Sequence, residues 1–145
     1  TSRRQRQMCI RDSIETEDEK MVYVTDTGYI KDEVKEYIRN ADYYVFESNH
    51  DIEMLMQTTR PVYLKQRIIG DCGHLCNEDC SNILCDVMGD HTKEIVLAHI
   101  SQEGNTRDMA LTTLKETLKR KQKDREDLRL YPADQFSIYT GGKSS

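Results

Sequence analysis

Bulky apolar and polar positions alternate from Met21 to Val24, a strand pattern that gives way to the polar turn Thr25-Asp26-Thr27-Gly28. Gly28 lets the backbone bend there. Ile30, Val34, Tyr37 and Ile38 then recur at helical spacing, which predicts a helix over about residues 31–39 with Asn40 as its stop. Tyr43 to Glu47 reads as a second strand. Strand, helix and strand in this order form a βαβ unit, with parallel strands and a right-handed crossover.

Past the polar loop Ser48-Asn49-His50-Asp51, Ile52, Leu55 and Met56 predict a short helix, and Pro61 starts another that carries Val62, Leu64 and Ile68. A turn at 70–74 leads to a third. Asn77 is its expected cap, with Glu78 and Asp79 in the first turn and Cys80, Ile83, Leu84 and Val87 facing inward until Gly89. The apolar run in 94–98 is a buried strand, and His99 follows at its end. Asn105 is the expected cap of the next helix, with Asp108 in a capping-box-like position and Ala110, Leu111, Leu114 and Leu118 as its apolar stripe. Leu128 to Tyr131 reads as a last short strand, and residues 140–145 as a disordered tail. Alternating strands and helices predict an α/β fold around a mainly parallel sheet.

The chain's 145 residues allow one domain. A net charge of −5 argues against nucleic-acid binding through overall charge but leaves room for a local basic groove. Lys115 to Arg129 holds seven basic and four acidic residues, a mixture that usually marks a solvated helix face. No run approaches the ~18 apolar residues of a membrane span. Five cysteines, an odd number with no secretory signal beside them, favour a reducing, cytoplasmic location. Cys72, Cys76, Cys80 and Cys85 lack the two-residue knuckle of structural zinc sites, and their spacing favours packing in the core. The arginine-rich residues 1–13 lack periodicity and resemble translated adapter sequence. They are set aside as unrelated to a domain over 14–139, and Cys9 with them.

Candidate chemistry gathers where strands end. Asp26 follows the first strand, Glu47, Asn49 and His50 the second, and His99 the third. Parallel strands bring all of these to one edge of the sheet, where open α/β folds bind ligands. His74 enters a helix through a glycine turn and can reach the same edge. A carboxylate with several imidazoles suits zinc, manganese or iron(II). Each residue also has a plainer role. Asp26 is an ordinary turn residue or, in a receiver-like module, a phosphoacceptor. His50 is a helix-initiating residue, His74 a half-buried histidine, and His99 a histidine bonded into the core. His91 receives no role.

The blocks VYVTDTGYI (22–30), YVFESNHDIEML (44–55), LKQRIIGDCGHLCNEDC (64–80) and IVLAHISQEGN (95–105), taken together and in order, resemble the C-terminal half of a metallo-β-lactamase-fold hydrolase. The nearest pattern is the YycJ/WalJ-like branch, related to the ribonuclease Z and ribonuclease J group. The resemblance implies half of an αββα sandwich with a site for two divalent metal ions, zinc or manganese, and nucleic acid as substrate. It makes Asp26 and His99 metal ligands and His74 a proton-transfer group near the scissile phosphate. It sets His50 near the mouth of the active site, with Glu47 orienting a neighbour. The family's His-x-His-x-Asp-His signature is absent. The chain is therefore expected to be a fragment, inactive alone, of a protein whose upstream part supplies the other ligands. A thioester or lactone hydrolase of the same fold and a non-catalytic α/β binding module are the alternatives.

Overall fold

The computed structural model describes residues 12–15, 19–25, 27–70 and 73–133. Five strands form one sheet in sequence order: β1 Asp12–Glu15, β2 Lys20–Val24, β3 Tyr43–Glu47, β4 Glu94–Ala98 and β5 Arg129–Pro132. β1 pairs antiparallel with β2, and the other three pairings are parallel. The strand pattern from Met21 and the strands at 43–47 and 94–98 match their expected positions, and the last strand lies one residue later than expected. β1 begins inside the segment set aside, residues 1–13, and extends two residues beyond it. Its pairing with β2, Asp12 opposite Tyr23 and Glu15 opposite Lys20, comes from backbone geometry and leaves no mark in side-chain periodicity.

Among the described residues, five helices connect the strands: α1 Asp32–Ile38, α2 Ile52–Met56, α3 Val62–Ile69, α4 Asn77–Val87 and α5 Arg107–Arg120. Parallel strands in sequence order, joined by crossovers of one hand, put the crossover helices on one face of the sheet. Val22, Val24, Tyr44, Phe46, Ile95 and Leu97 form that face and are all completely buried. Val34 and Ile38 of α1, Cys80 and Leu84 of α4, and Ala110 and Leu114 of α5 close over it. Tyr44 ties the layers together. Its hydroxyl faces the carbonyls of Ile38 (2.6 Å) and Val87 (3.1 Å) and accepts from the Ala41 amide, so one buried group serves the ends of two helices. On the opposite face, Tyr23, Tyr43, Val45, Val96 and Tyr131 are only half-buried.

Two helix starts differ from the expected caps. Cys76 caps α4 through Sγ, which accepts from Asp79 N at 3.4 Å, and Asn77 is the first helical residue. Thr106 caps α5, its Oγ1 accepting from Met109 N, and Asn105 lies one residue earlier. Both asparagines are occupied elsewhere. Ser48 Oγ donates to Asn77 Oδ1 (2.6 Å), Asn77 Nδ2 to Asn105 Oδ1 (2.9 Å), and Asn105 Nδ2 to Ser48 O (3.0 Å). This buried network welds the end of β3 to the starts of α4 and α5. Asn40 ends α1 as expected, with φ 60 in the left-handed region that asparagine tolerates. Cys76, Cys80 and Cys85 are buried, in agreement with packing roles, while Cys9, Cys72 and residues 140–145 lie outside the described residues.

Candidate active site

The carboxyl ends of β3 and β4 stop side by side, with Glu47 opposite Ala98. The ladder continues past both: Ser48 N donates to Ala98 O, Asn49 Nδ2 to His99 O (2.8 Å), and Ser101 N to Asn49 O. His99 has φ 51, a left-handed conformation unfavourable for a residue with a Cβ by about 1–3 kcal/mol. The Asn49 bond helps to hold it there.

His74 reaches the same edge from the helical side. Its backbone N donates to Ile68 O, and Gly73 N to Gly70 O, so Gly73 and His74 lie against the end of α3. Gly73 makes this approach possible, because a Cβ there would collide with the carbonyl oxygens of Arg67 and Ile68. Beyond it, Asn49 N donates to Leu75 O and His50 bridges to Cys76, which anchors the segment to the chain leaving β3.

Glu47 joins the two histidines. Its side chain is fully buried. Oε1 lies 2.7 Å from His74 Nδ1 and 3.3 Å from His99 Nδ1, and Oε2 accepts from Leu75 N. Burial alone pushes this carboxyl upward and is the largest single influence on it. The hydrogen bonds from His74 and His99, the charge of His74 and the Leu75 amide together outweigh burial and hold its pKa below the usual value. An ionised carboxylate can only accept, so Nδ1 of each ring carries the proton, and the neutral form of each ring has its lone pair on Nε2. A carboxylate bonded to one ring nitrogen is the usual way metal-binding histidines are oriented and made more basic. The donor chemistry therefore fits zinc or manganese. Among the described residues no group of three or more His, Cys, Asp or Glu side chains is arranged to hold a metal ion, whereas a catalytic zinc usually takes three protein ligands.

His74 and His99 border an open cleft of about 830 Å³, whose walls include Asn49, Arg60, Ser101 and Glu103. Asp26 lies outside the described residues; its neighbours Thr25 and Thr27 are buried. His50 is placed differently from the expectation. It is only 1% exposed, beneath the cleft rather than at its mouth, because its backbone is held on both sides: Asn77 N donates to His50 O, and Asp51 N to Gly104 O. Burial, then the charge of His74, lowers its pKa. Its Nδ1 lies 3.3 Å from Asn49 Oδ1, and so it backs the residue that holds His99. The sequence reading missed the Ser48–Asn77–Asn105 network beneath these groups, since asparagine before a helix reads as a cap.

No family model matches the chain. Its fold is similar to that of the metallo-β-lactamase fold protein YhfI from Bacillus subtilis, with a TM-score of 0.57 at 17% identity over 89% of this chain and 43% of that one. This likeness shows the expected α/β class in its metallo-β-lactamase form. In sequence the chain is 44% identical over 102 residues to the exodeoxyribonuclease YycJ of Bacillus anthracis, covering 70% of the chain and 39% of that protein. It is 42% identical over 98 residues to the exodeoxyribonuclease WalJ of Streptococcus pneumoniae D39, covering 68% of the chain and 36% of that protein. The chain is thus a metallo-β-lactamase-fold relative of the YycJ/WalJ branch, and it spans less than two fifths of the length of these curated relatives.

Proposed function

We propose that this chain carries part of the active site of a metal-dependent phosphodiesterase that degrades DNA from an end. The observation that supports this most directly is the buried Glu47 carboxylate bonded to Nδ1 of two imidazoles at the carboxyl edge of a parallel sheet. Sequence similarity to two proteins named as exodeoxyribonucleases supports the substrate class.

In this reading Asp26 and His99 hold divalent metal, two ions of zinc or manganese in the whole protein. Bound there, such ions supply Lewis-acid charge for the phosphoryl oxygens and acidify a water. His74 is the proton-transfer group. Its ring, fixed by Glu47, accepts a proton at Nε2 and returns it to the leaving oxygen, and the Glu47 charge stabilises the imidazolium in between. His50 acts from beneath, keeping Asn49 and through it the His99 carbonyl in place. Asp26 and the described residues, His99 among them, supply fewer donors than a catalytic site needs, so in this reading the remaining ligands come from elsewhere in a protein of the relatives' length, and the chain is inactive alone.

The test is hydrolysis of end-labelled DNA with Mn²⁺ or Zn²⁺ by a protein of the relatives' length carrying these residues. Asp26→Ala and His99→Ala are expected to abolish cleavage. His74→Ala is expected to lower kcat by roughly 10²–10⁴-fold while metal content is unchanged. Undiminished cleavage by Asp26→Ala overturns the assignment.

A further inference from the structure

The cleft beside His74 and His99 has a neighbour. Its wall at Ile100, Ser101, Gln102 and Ala133 is shared with a second hollow of about 380 Å³, which Arg107 borders. The 100–102 loop therefore lies between two neighbouring depressions, each bordered by one arginine: Arg60 on the histidine side and Arg107 on the other. Among the described residues bordering either depression, these are the two lysine or arginine side chains. The one carboxylate among them, Glu103, is paired with Arg60 at 3.0 Å. The charged lining of the two depressions, two arginines and one glutamate, is thus slightly positive in a chain of net charge −5.

Both guanidinium groups are held by one nitrogen. Arg60 Nε donates to Glu103 Oε2. Arg107 Nε donates to Pro132 O at 2.9 Å, and its guanidinium lies 5.6 Å from the centre of the Tyr131 ring. Holding an arginine through Nε orients its planar fork, and a fork matches two phosphate oxygens. The Arg60–Glu103 pair involves an exposed carboxylate, so it contributes little, and a phosphate can replace that carboxylate readily.

We propose that Arg60 and Arg107 are backbone-phosphate contacts for single-stranded DNA lying along this groove, one in each depression, with the 100–102 loop between them. The inference rests on the nuclease reading above and adds to it the path of the strand past His74 and His99.

The experiment measures binding of a short fluorescein-labelled single-stranded DNA to the chain by anisotropy, without added metal, over a range of salt concentrations. Each phosphate contact on a single strand contributes about 0.7 to the slope of log K against log salt. Arg60→Ala and Arg107→Ala are each expected to weaken binding roughly tenfold and reduce the slope by about 0.7, and the double variant by about twice that. Arg60→Lys retains the slope but loses affinity, because it keeps the charge without the fork. Lys119→Ala, near the far end of α5, leaves both unchanged. Glu103→Gln is expected to bind up to about fivefold more tightly, since it releases Arg60.

If the wild-type chain does not bind, this inference is overturned, while the nuclease reading is decided separately by cleavage with a protein of the relatives' length. If the wild type binds while both alanine variants keep its slope, or Lys119→Ala lowers the slope as much as they do, this inference alone is overturned. Equal losses in Glu103→Gln and Arg60→Ala mean that the pair only braces the cleft wall, which removes Arg60 from the phosphate contacts.

Discussion

Glu47 is the residue on which the site depends, because its charge survives full burial only through its partners. Glu47→Gln keeps the shape, removes the charge and adds an amide that donates. That amide, turned toward His74, favours the tautomer with its proton on Nε2. Long-range ¹⁵N–¹H spectra of the histidine rings are expected to show His74 protonated on Nδ1 in the wild type and on Nε2 in Glu47→Gln, with a stability loss of about 1–3 kcal/mol in urea unfolding. An unchanged tautomer would show that Glu47 does not orient the ring. The buried thiols make a second residue-scale prediction. Burial pushes Cys76 up to about 11 and Cys80 higher still. A thiol whose pKa is raised by folding stabilises the native state fully below its unfolded value, and that contribution is lost as pH rises through the folded value. Stability is expected to decline from about pH 9 toward about pH 11, and iodoacetamide at neutral pH is expected to label these cysteines only after denaturation. Rapid labelling of Cys76 or Cys80 in the native protein, read by peptide mass mapping, would contradict it. Histidines and cysteines were legible in the sequence as types, and the cysteines' packing role followed from their spacing. The link among Glu47, His74 and His99 was less legible, since a bond across 27 residues requires the sheet to place its ends.

At the scale of elements, the loop over the end of α3 delivers His74, and Gly73 decides whether it can. Gly73→Ala forces a Cβ into the carbonyls of Arg67 and Ile68, which are backbone and cannot rotate away. We expect a loss of about 1–3 kcal/mol and a shift of His74 away from Glu47, visible as altered His74 ring resonances. Unchanged stability and resonances would mean that the loop has slack. The elements themselves were largely readable: β2 follows from a period-two pattern, α1 from a period-3.6 pattern and β4 from its apolar run, because each buries apolar side chains in the shared core. Cap identity was not. Thr106 and Cys76 displaced the expected asparagines because Asn77 and Asn105 satisfy each other and Ser48 in the buried network, a long-range demand that local sequence does not encode. β1 was missed for a related reason, since antiparallel pairing along an edge depends on its partner rather than on its own periodicity.

On the scale of the whole molecule, two features point the same way. One face of the sheet is sealed by helices. The other leaves Tyr23, Tyr43, Val45, Val96 and Tyr131 half-buried among the described residues, an apolar surface of the kind that folded domains usually cover. The proposed metal chemistry is similarly one-sided, with Asp26 and His99 as ligands where three or more donors are needed. Both are accounted for if the part of the relatives' length that this chain does not match supplies a second layer and the other ligands. The 145-residue chain is then expected to bind zinc more weakly than about micromolar in calorimetric titration, with no cleavage of DNA, and to enhance the fluorescence of an apolar dye. A protein of the relatives' length should bind zinc tightly and suppress the dye signal, because covering the sheet face and completing the donor set are one structural event. Tight zinc binding together with DNA cleavage by the 145-residue chain would show that its own residues complete the site.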